Sequence, residues 1–318
     1  MNRKRWYFSQ FISWVTILAV ALFFVPGCKK AGERKFLIGF SQSTMIDPWR
    51  INMLEQMKDA VEKHKDEIEF IFTDGQNDNM KQISDVEDLY SRGIDLLIIS
   101  PREAEPLTLV VERLSKAGIP VITLDRNITS DSYTCFIGAS NFKIGQEAGK
   151  LMAKLLEEKG TVIEIEGILG ATPTIDRSDG FHSIIDSLPG IQVVEKQPAD
   201  YLREPALKIM EDFLQSHARI DGVYAHNDEM ALGALTALKA AGREGVVVVG
   251  IDGQREAFES ITEGKMAATF IYPNGSAEAI EVGLKILKGE KVLKKIELET
   301  HLVDKSNVHL FYNPKSYF

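Results

Sequence analysis

The chain has 318 residues, with 37 basic and 46 acidic side chains and a formal net charge of −9 at pH 7. This acidic balance argues against nucleic-acid binding, which favours a basic surface. About 290 residues remain once the N-terminal segment is set aside, and a body of that size suits two lobes better than one core.

The N-terminus has the features of an export signal. Three basic residues at positions 3–5 precede an apolar run over about 11–25, and a Pro-Gly pair then leads into Cys28. A positive start, a short apolar core and a small residue before the break are typical of a secretory signal peptide. We therefore predict a signal peptide over 1–27.

A cysteine directly after the predicted cleavage point indicates a bacterial lipoprotein. We predict that Cys28 is lipidated and that residues 28–35 tether an exported body to the membrane, in the periplasm or at the cell surface. The alternative is an uncleaved anchor helix, since the run over 6–24 is nearly long enough to span a membrane. Cys135 is the second of the two cysteines in the sequence, so we expect a buried hydrophobe there and no disulfide within the body.

Short apolar runs alternate with helical patterns along the body. In chain order the first part is predicted to contain strand Phe36–Phe40, helix Pro48–His64, strand Ile68–Thr73, helix Asn79–Arg92, strand Leu96–Ile99, helix Glu105–Ala117, strand Val121–Leu124 and strand Phe136–Ala139. The second part is predicted to contain helix Asn141–Glu158, strand Thr161–Glu166, helix Asp176–Ser187, strand Gln192–Lys196, helix Glu204–Ser216, strand Gly222–Ala225, helix Asp228–Ala241, strand Val246–Ile251 and helix Gln254–Glu263.

This rhythm predicts the fold class. Continuous apolar strands, without clean alternation, indicate parallel sheets covered on both faces. We therefore predict an α/β protein with two doubly wound parallel-sheet lobes. Because no linker rich in Gly, Ser or Pro separates them, extended segments that cross between the lobes would act as a hinge.

Two charged residues, Asp125 and Arg126, directly follow the apolar strand Val121–Leu124. Ligands of open α/β sheets bind beyond the carboxyl ends of the strands. Seen alone, an Asp-Arg pair after a strand is more often a surface ion pair. At a sheet edge that faces a second lobe, the same pair predicts a polar ligand.

Several stretches together resemble the bacterial periplasmic sugar-binding proteins of the ribose type, and in particular their galactofuranose-binding branch. These stretches are Ile38–Gln42, Pro48–Arg50, Ile119–Arg126, Ile175–Phe181, Ala225–Ala234 and Gly250–Gly253. The resemblance extends over about 35–289. It implies a type 1 periplasmic binding protein fold that works as a monomer, with an N-lobe over 36–139 and 273–298 and a C-lobe over 140–272 and 299–318.

The resemblance also implies a ligand site between the lobes. Its residues would be Gln42, Trp49, Arg50, Asp125, Arg126, Arg177, Tyr201, Asn227, Asp252 and Tyr272. Arg177 matches a cleft arginine of the galactofuranose branch, whereas ribose-type proteins place it two residues earlier, where Ile175 stands. The chemistry suits a sugar, because carboxylates and arginines bind its hydroxyl groups while aromatic rings pack on its C–H face.

Other interpretations compete at single positions. Asp47 and Asp228 are predicted to be helix N-caps rather than ligands. Trp49 suits core packing as well as a sugar platform, and His226 is predicted to be structural. We expect no metal site, because Asn79 stands where a calcium loop of the type begun at Asp74 needs glycine.

These features predict a receptor that delivers a monosaccharide to the membrane permease of an ABC importer by closing its lobes. The alternative is a sugar sensor that presents its closed form to a membrane chemoreceptor or histidine kinase. An enzyme is disfavoured, because no G-x-G-x-x-G follows Phe36–Phe40 and no nucleophile-base signature is present. We predict no cofactor. A cytosolic repressor with the same core is disfavoured, because residues 1–35 carry an export signal rather than a DNA-reading head.

Overall fold

A computed structural model of the chain describes residues 34–314 and residue 318. The predicted signal peptide over 1–27 and the lipidation site at Cys28 lie outside the described residues, as does the tether up to position 33. Within the part that is described, no helix combines the length and the apolar character needed to cross a membrane.

The described residues form twelve strands, nine helices and one 3-10 turn. The strands are β1 (Phe36–Gln42), β2 (Ile68–Asp74), β3 (Leu96–Ser100), β4 (Val121–Leu124), β5 (Cys135–Ala139), β6 (Gly160–Glu166), β7 (Ile191–Pro198), β8 (Gly222–Ala225), β9 (Val247–Val249), β10 (Ala268–Ile271), β11 (Lys295–Leu298) and β12 (His301–Asp304). The helices are α1 (Pro48–Lys63), α2 (Asn79–Ser91), α3 (Ala104–Lys116), α4 (Asn141–Leu155), α5 (Thr172–Ile185), α6 (Arg203–Ser216), α7 (Asp228–Ala240), α8 (Arg255–Thr262) and α9 (Ser276–Leu287), and the 3-10 turn is Val308–Leu310.

The strands build two six-stranded sheets, which confirms the predicted fold class. The first has the order β11-β5-β4-β3-β1-β2 and the second the order β12-β10-β9-β8-β6-β7. Every pairing is parallel except that of β12, which runs antiparallel to β10 at the edge of the second sheet. The prediction of parallel sheets therefore does not hold at this edge, where the chain arrives from β11 of the first sheet through a two-residue connection.

The chain passes between the two sheets three times. It leaves the first sheet after β5, returns to it between β10 and β11, and enters the second sheet again at β12. Helix α9 packs against α1 and against β3 and β4 on the first side. The predicted lobe boundaries were drawn from the resemblance, and they remain a prediction.

Two stretches differ from the predicted elements. Helix α5 begins at Thr172 rather than Asp176, because Pro173 occupies its first turn, where proline loses no hydrogen bond. Strands β10, β11 and β12 and helix α9 were not predicted. Strand β11 alternates exposed and half-buried residues, so it lacks the continuous apolar run that marked the central strands.

The sheets are covered by apolar side chains on both faces. Cys135 is fully buried within the first of these cores and is a free thiol, which confirms its predicted role as a small hydrophobe. Its pKa is raised by burial to about 11, so the thiol is unreactive at neutral pH.

Candidate functional site

A small cavity lies where the polar ends of both sheets meet. The space measures about 330 Å³, counted as all volume not filled by protein atoms and including open solvent at its mouth. Its lining residues are Asp47, Trp49, Arg50, Asp125, Arg126, Pro173, Arg177, Tyr201, Asn227, Asp252 and Tyr272. Nine of the ten predicted ligand residues are in this set, and Gln42 is not. The side-chain amide of Gln42 donates to the Arg50 carbonyl at 3.1 Å, so Gln42 supports the start of α1 without lining the cavity.

The first turn of α1 brings three lining residues together. The Asp47 side chain caps the helix, as predicted, by accepting from the Arg50 amide at 2.9 Å, and the helix continues from Pro48. Trp49 donates its indole N–H to the Tyr272 carbonyl at 3.1 Å, and the two rings lie 5.6 Å apart. Asp47 therefore both caps a helix and lines the cavity, and the second of these roles was not predicted.

Asp125 is the centre of the hydrogen bonding on the first side. Its Oδ2 accepts from Nη2 of Arg50 at 2.7 Å, while Nη1 of the same arginine donates to Ser100. Its Oδ1 accepts from the Tyr272 hydroxyl at 2.8 Å. Burial opposes the negative charge, but Arg50 and then Arg126 outweigh it and lower the pKa of this carboxyl. Asp125 has a φ of 65°, a left-handed backbone that Asp and Asn tolerate better than most residues.

Arg126 is buried with incomplete hydrogen bonding. Its Nη1 donates to the Arg102 carbonyl at 3.1 Å. Its Nε is 3.9 Å from Asp125, too far for a hydrogen bond, and no other partner among the described residues reaches it. Burial and the nearby charge of Arg50 lower the pKa of Arg126 to about 10. A buried donor of this kind is costly unless an acceptor arrives.

Arg177 extends from α5 on the second side. Its Nε donates to Oδ1 of Asn141 at 2.8 Å, and its Nη1 donates to the His226 carbonyl. The guanidinium carbon lies 4.7 Å from the centre of the Tyr272 ring. Asn141 was not among the predicted site residues, since an asparagine at the start of a helix has no distinctive signal.

Tyr201 packs between arginines from the two sides. Its ring centre lies 5.2 Å from the guanidinium carbon of Arg126 and 5.9 Å from that of Arg177, distances at which cation–π attraction operates. The hydroxyl group is 2.7 Å from Thr174. Gly167 makes room for the ring, because a Cβ there would lie 2.0 Å from a ring carbon.

Asn227 is the N-cap of α7, and the prediction that Asp228 caps this helix is wrong. The Asn227 side chain accepts from the Met230 amide at 2.9 Å and donates to the Tyr201 carbonyl at 3.1 Å. Asp228 instead accepts from the amides of Gly253 and Gln254, each at 2.8 Å. It thereby shapes the loop that carries Asp252.

Asp252 lines the cavity after β9 and is almost fully buried. Burial raises its pKa well above the usual range, although Arg177 opposes the shift. The cavity therefore combines three arginines with three carboxyl groups and three aromatic rings. Such a lining provides many hydrogen bonds without a strong excess of either charge.

The two sides also touch each other outside the cavity. The amide of Ala104, at the start of α3, donates to the Gly170 carbonyl at 2.9 Å. The amide of Asn127 donates to Oγ1 of Thr172, at the start of α5, at 3.0 Å. Ala104 and Asn127 follow β3 and β4 of the first sheet, whereas Gly170 and Thr172 follow β6 of the second sheet. Because these hydrogen bonds join the two sides, the cleft is closed in this structure.

A buried carboxylate, Glu164, lies behind the cavity on β6. It accepts from Nε2 of His226 at 2.9 Å and from Nε2 of His182 at 2.8 Å. The hydrogen bond to Glu164 is the main cause that raises the pKa of His182 to about 9, with help from Asp186. Burial opposes the charge of Glu164, but its two histidine partners and Lys196 lower its pKa. His226 is therefore held structurally, as predicted.

The hydrogen-bonded pair of His182 and Glu164 makes a pH-dependent contribution to the stability of the fold. Because the folded pKa of His182 exceeds its ordinary value of 6.5, the stabilisation is complete below that pH and is lost as the pH rises through about 9. We expect His182→Gln to lower the free energy of unfolding by about 1–2 kcal/mol at pH 6 and by much less at pH 10. Urea titrations of both proteins at the two pH values test this, with His309→Gln on the exposed 3-10 turn as the control. A deficit that stays constant with pH would contradict the prediction.

Two sheets that enclose a small polar cavity lined from both sides define a two-lobed small-molecule-binding protein. Residues 38–291 match the family model described as a periplasmic binding protein domain. The chain belongs to this family.

Known relatives cover nearly the whole body. The ribose import binding protein RbsB of Bacillus subtilis (strain 168) is 37% identical over 293 residues, which make up 88% of this chain and 94% of that protein. The fructose binding periplasmic domain of a hybrid two component system has a TM-score of 0.84 and 38% identity, covering 87% of this chain and 93% of that chain. A galactofuranose binding protein has a TM-score of 0.82 and 28% identity, covering 86% of this chain and 96% of that chain.

Proposed function

We propose that the chain is an extracytoplasmic receptor that binds a monosaccharide between two lobes and delivers it to the permease of an ABC importer. The observation that carries this proposal is the cavity lining, which draws arginines, carboxyl groups and aromatic rings from both sheets. Lobe closure of this kind is known for periplasmic binding proteins. We also propose that the N-lobe consists of 36–139 with 273–298 and the C-lobe of 140–272 with 299–318.

The lining matches the surface of a sugar. Asp125 and Asp252 offer acceptors to hydroxyl groups, and the arginines offer planar sets of donors. A hydroxyl oxygen would supply the acceptor that Nε of Arg126 lacks within the described residues. Trp49 and Tyr201 offer apolar faces for the C–H groups of the ring. We propose that Gln42 acts indirectly, by holding Arg50.

The relatives support a sugar and leave its identity open. The similar proteins bind ribose, fructose and galactofuranose according to their names. Arg177 and the Trp49-Arg50 pair favour the galactofuranose branch, whereas the overall identity is higher to the ribose protein. The proposed ligand class is therefore a pentose or hexose, with galactofuranose among the candidates.

One relative supports a second role. The fructose binding domain belongs to a hybrid two component system. We keep the corresponding alternative, in which this chain presents its closed form to a membrane chemoreceptor or histidine kinase. Co-purification with an importer permease after membrane solubilisation would favour transport, and recovery of a kinase or chemoreceptor instead would favour sensing.

The proposed function is reversible binding without a catalysed reaction. By their names, one relative is an import binding protein and another is a binding domain of a hybrid two component system. No group of three or more His, Cys, Asp or Glu side chains suited to a metal occurs among the described residues. We propose a monomer that needs no cofactor.

We also propose export through the segment over 1–27 and attachment through a lipid on Cys28. The membership of the periplasmic binding protein family supports export. Mass spectrometry of the mature chain from membranes should show an acylated Cys28, and Cys28→Ser should release the body into the soluble fraction. Recovery of the full chain with residues 1–27 intact would favour the anchor helix instead.

Calorimetry tests the sugar assignment. We expect at least one member of a panel of pentoses, hexoses and galactofuranose to bind with a dissociation constant in the micromolar range or below, about −8 kcal/mol or stronger. Small-angle scattering should show a smaller radius of gyration when that sugar is present, because the lobes close. If every sugar bound more weakly than millimolar, the assignment would be lost.

A further inference from the structure

Asn141 lies where it can connect the two arginine-bearing sides of the cavity. It is the first residue of α4, directly after the chain leaves the first sheet, and it is 4% exposed. Its Oδ1 accepts from Nε of Arg177 at 2.8 Å, and its Nδ2 donates to the Tyr272 hydroxyl at 3.1 Å. Tyr272 lies on the second passage between the sheets, just after β10. Asn141 thus joins two crossover segments to a cavity arginine.

The direction of each hydrogen bond is fixed by proton counting. The Tyr272 hydroxyl has one proton, and that proton goes to the ionised Asp125 at 2.8 Å. The hydroxyl oxygen must therefore accept from Asn141, which places the NH₂ group of the amide on that side. The amide oxygen then faces Arg177, which can only donate. Both ends of the Asn141 amide are used, and neither can be reversed.

We infer that Asn141 is a positioning residue, which holds Arg177 and Tyr272 in fixed relative geometry so that lobe closure delivers Asp125 and Arg177 together to the ligand. The connected series is Arg50, Asp125, Tyr272, Asn141 and Arg177. It runs across both sides of the cavity and through two of the three chain crossings. The inference rests on the proposed function, because it assigns Asn141 a part in ligand binding.

A purely local role does not explain this arrangement. Helix α4 already has an N-cap, since the Ser140 side chain accepts from the Lys143 amide. The Asn141 side chain makes no capping bond, and both of its polar ends bond to cavity residues. A buried amide that served only to fill space would be replaced by an apolar side chain at lower cost. The presence of a buried amide here is explained by the two groups that it orients.

Two substitutions separate the two ends of the amide. Asn141→Asp keeps an acceptor for Arg177 but cannot donate to the Tyr272 hydroxyl. Asn141→Leu removes both bonds while keeping a similar volume. We expect Asn141→Leu to weaken binding of the best sugar from the calorimetric panel by about tenfold or more, and Asn141→Asp to weaken it by less. In a Tyr272→Phe background, where no hydroxyl remains, Asn141→Asp should have little further effect.

A second readout needs no sugar. The Nε–H of Arg177 is buried and bonded to Asn141, so its NMR signal should exchange slowly with solvent in the ligand-free protein, and the signal is assigned by its loss in Arg177→Lys. We expect exchange about tenfold faster or more in Asn141→Leu and near wild-type exchange in Asn141→Asp. Thermal unfolding of each variant identifies any that fails to fold.

The outcomes separate the two proposals. Equal Nε–H exchange in Asn141→Leu and the wild type would overturn the positioning role, as would an Asn141→Asp effect on affinity that is undiminished in the Tyr272→Phe background. If the wild type bound no sugar while the exchange pattern followed expectation, the sugar assignment would fall and the coupling of Asn141 to Arg177 would stand.

Discussion

Replacing Asp125 with Asn should leave the fold intact while weakening sugar binding by about 1–3 kcal/mol or more, roughly fivefold to more than a hundredfold. The physical reason is that Arg50, itself 4% exposed, would lose its partner charge inside a closed cavity. Breaking one member of a buried pair costs more than the pair contributes, because the remaining charge stays desolvated. The Tyr272 hydroxyl would also compete with Arg50 for the single amide oxygen that remains. Calorimetry with the best ligand of the panel measures the change.

Asn is preferred to Ala at this position because of the backbone. With a φ of 65°, Asp125 occupies a region where Ala adds strain, so Asp125→Ala should lose more stability than Asp125→Asn, in addition to affinity. Asp88→Asn is a matched control, since Asp88 pairs with Arg92 on the surface and is 51% exposed. The Asp88→Asn substitution should change neither the free energy of sugar binding nor that of unfolding by more than about 0.5 kcal/mol. An unchanged dissociation constant in Asp125→Asn would remove this carboxylate from the site.

The strand-end residues could be predicted from the sequence because the rule behind them is simple. A short apolar run followed by charge, as at Val121–Leu124 with Asp125, defines both a parallel strand and its functional edge. The same rule, together with the resemblance, brought Asn227 and Asp252 into the predicted site. The structure places all three on one cavity.

Residues that act through other residues could not be predicted in this way. Both Asn141 and Asp228 bond to groups far away in sequence. Asn141 bonds to Tyr272, 131 positions further on, and Asp228 bonds to Thr269, 41 positions further on. No local pattern distinguishes such residues from ordinary helix starts. Strands β11 and β12 were missed for a related reason, because both lie at the edge of a sheet, and an edge strand needs few apolar residues and its sequence resembles a loop.

The second large effect concerns the contact between α4 and α5, which holds Arg177 in place. The two helices touch through their backbones: a Cβ on Gly145 would lie 2.2 Å from the Arg177 carbonyl oxygen and 2.9 Å from the Phe181 amide, and one on Gly180 would lie 2.2 Å from the Phe142 carbonyl oxygen. Backbone atoms cannot turn aside as a flexible side chain would. We expect Gly145→Ala to force the helices apart and to lower the free energy of unfolding by about 3 kcal/mol.

A glycine-to-alanine substitution in another helix provides the control. Gly283 also lies inside a helix, α9, but a Cβ there would meet methyl groups of Leu96 at 3.6 Å and of Ile122 at 3.8 Å, which are ordinary contact distances. Gly283→Ala should therefore stabilise the fold by about 0.5–1 kcal/mol, because alanine loses less conformational freedom on folding. Urea unfolding of both variants measures the contrast, and equal midpoints would contradict the close-packing argument. Since the atom displaced by Gly145→Ala is the carbonyl of Arg177 itself, sugar affinity should fall in that variant and stay unchanged in Gly283→Ala.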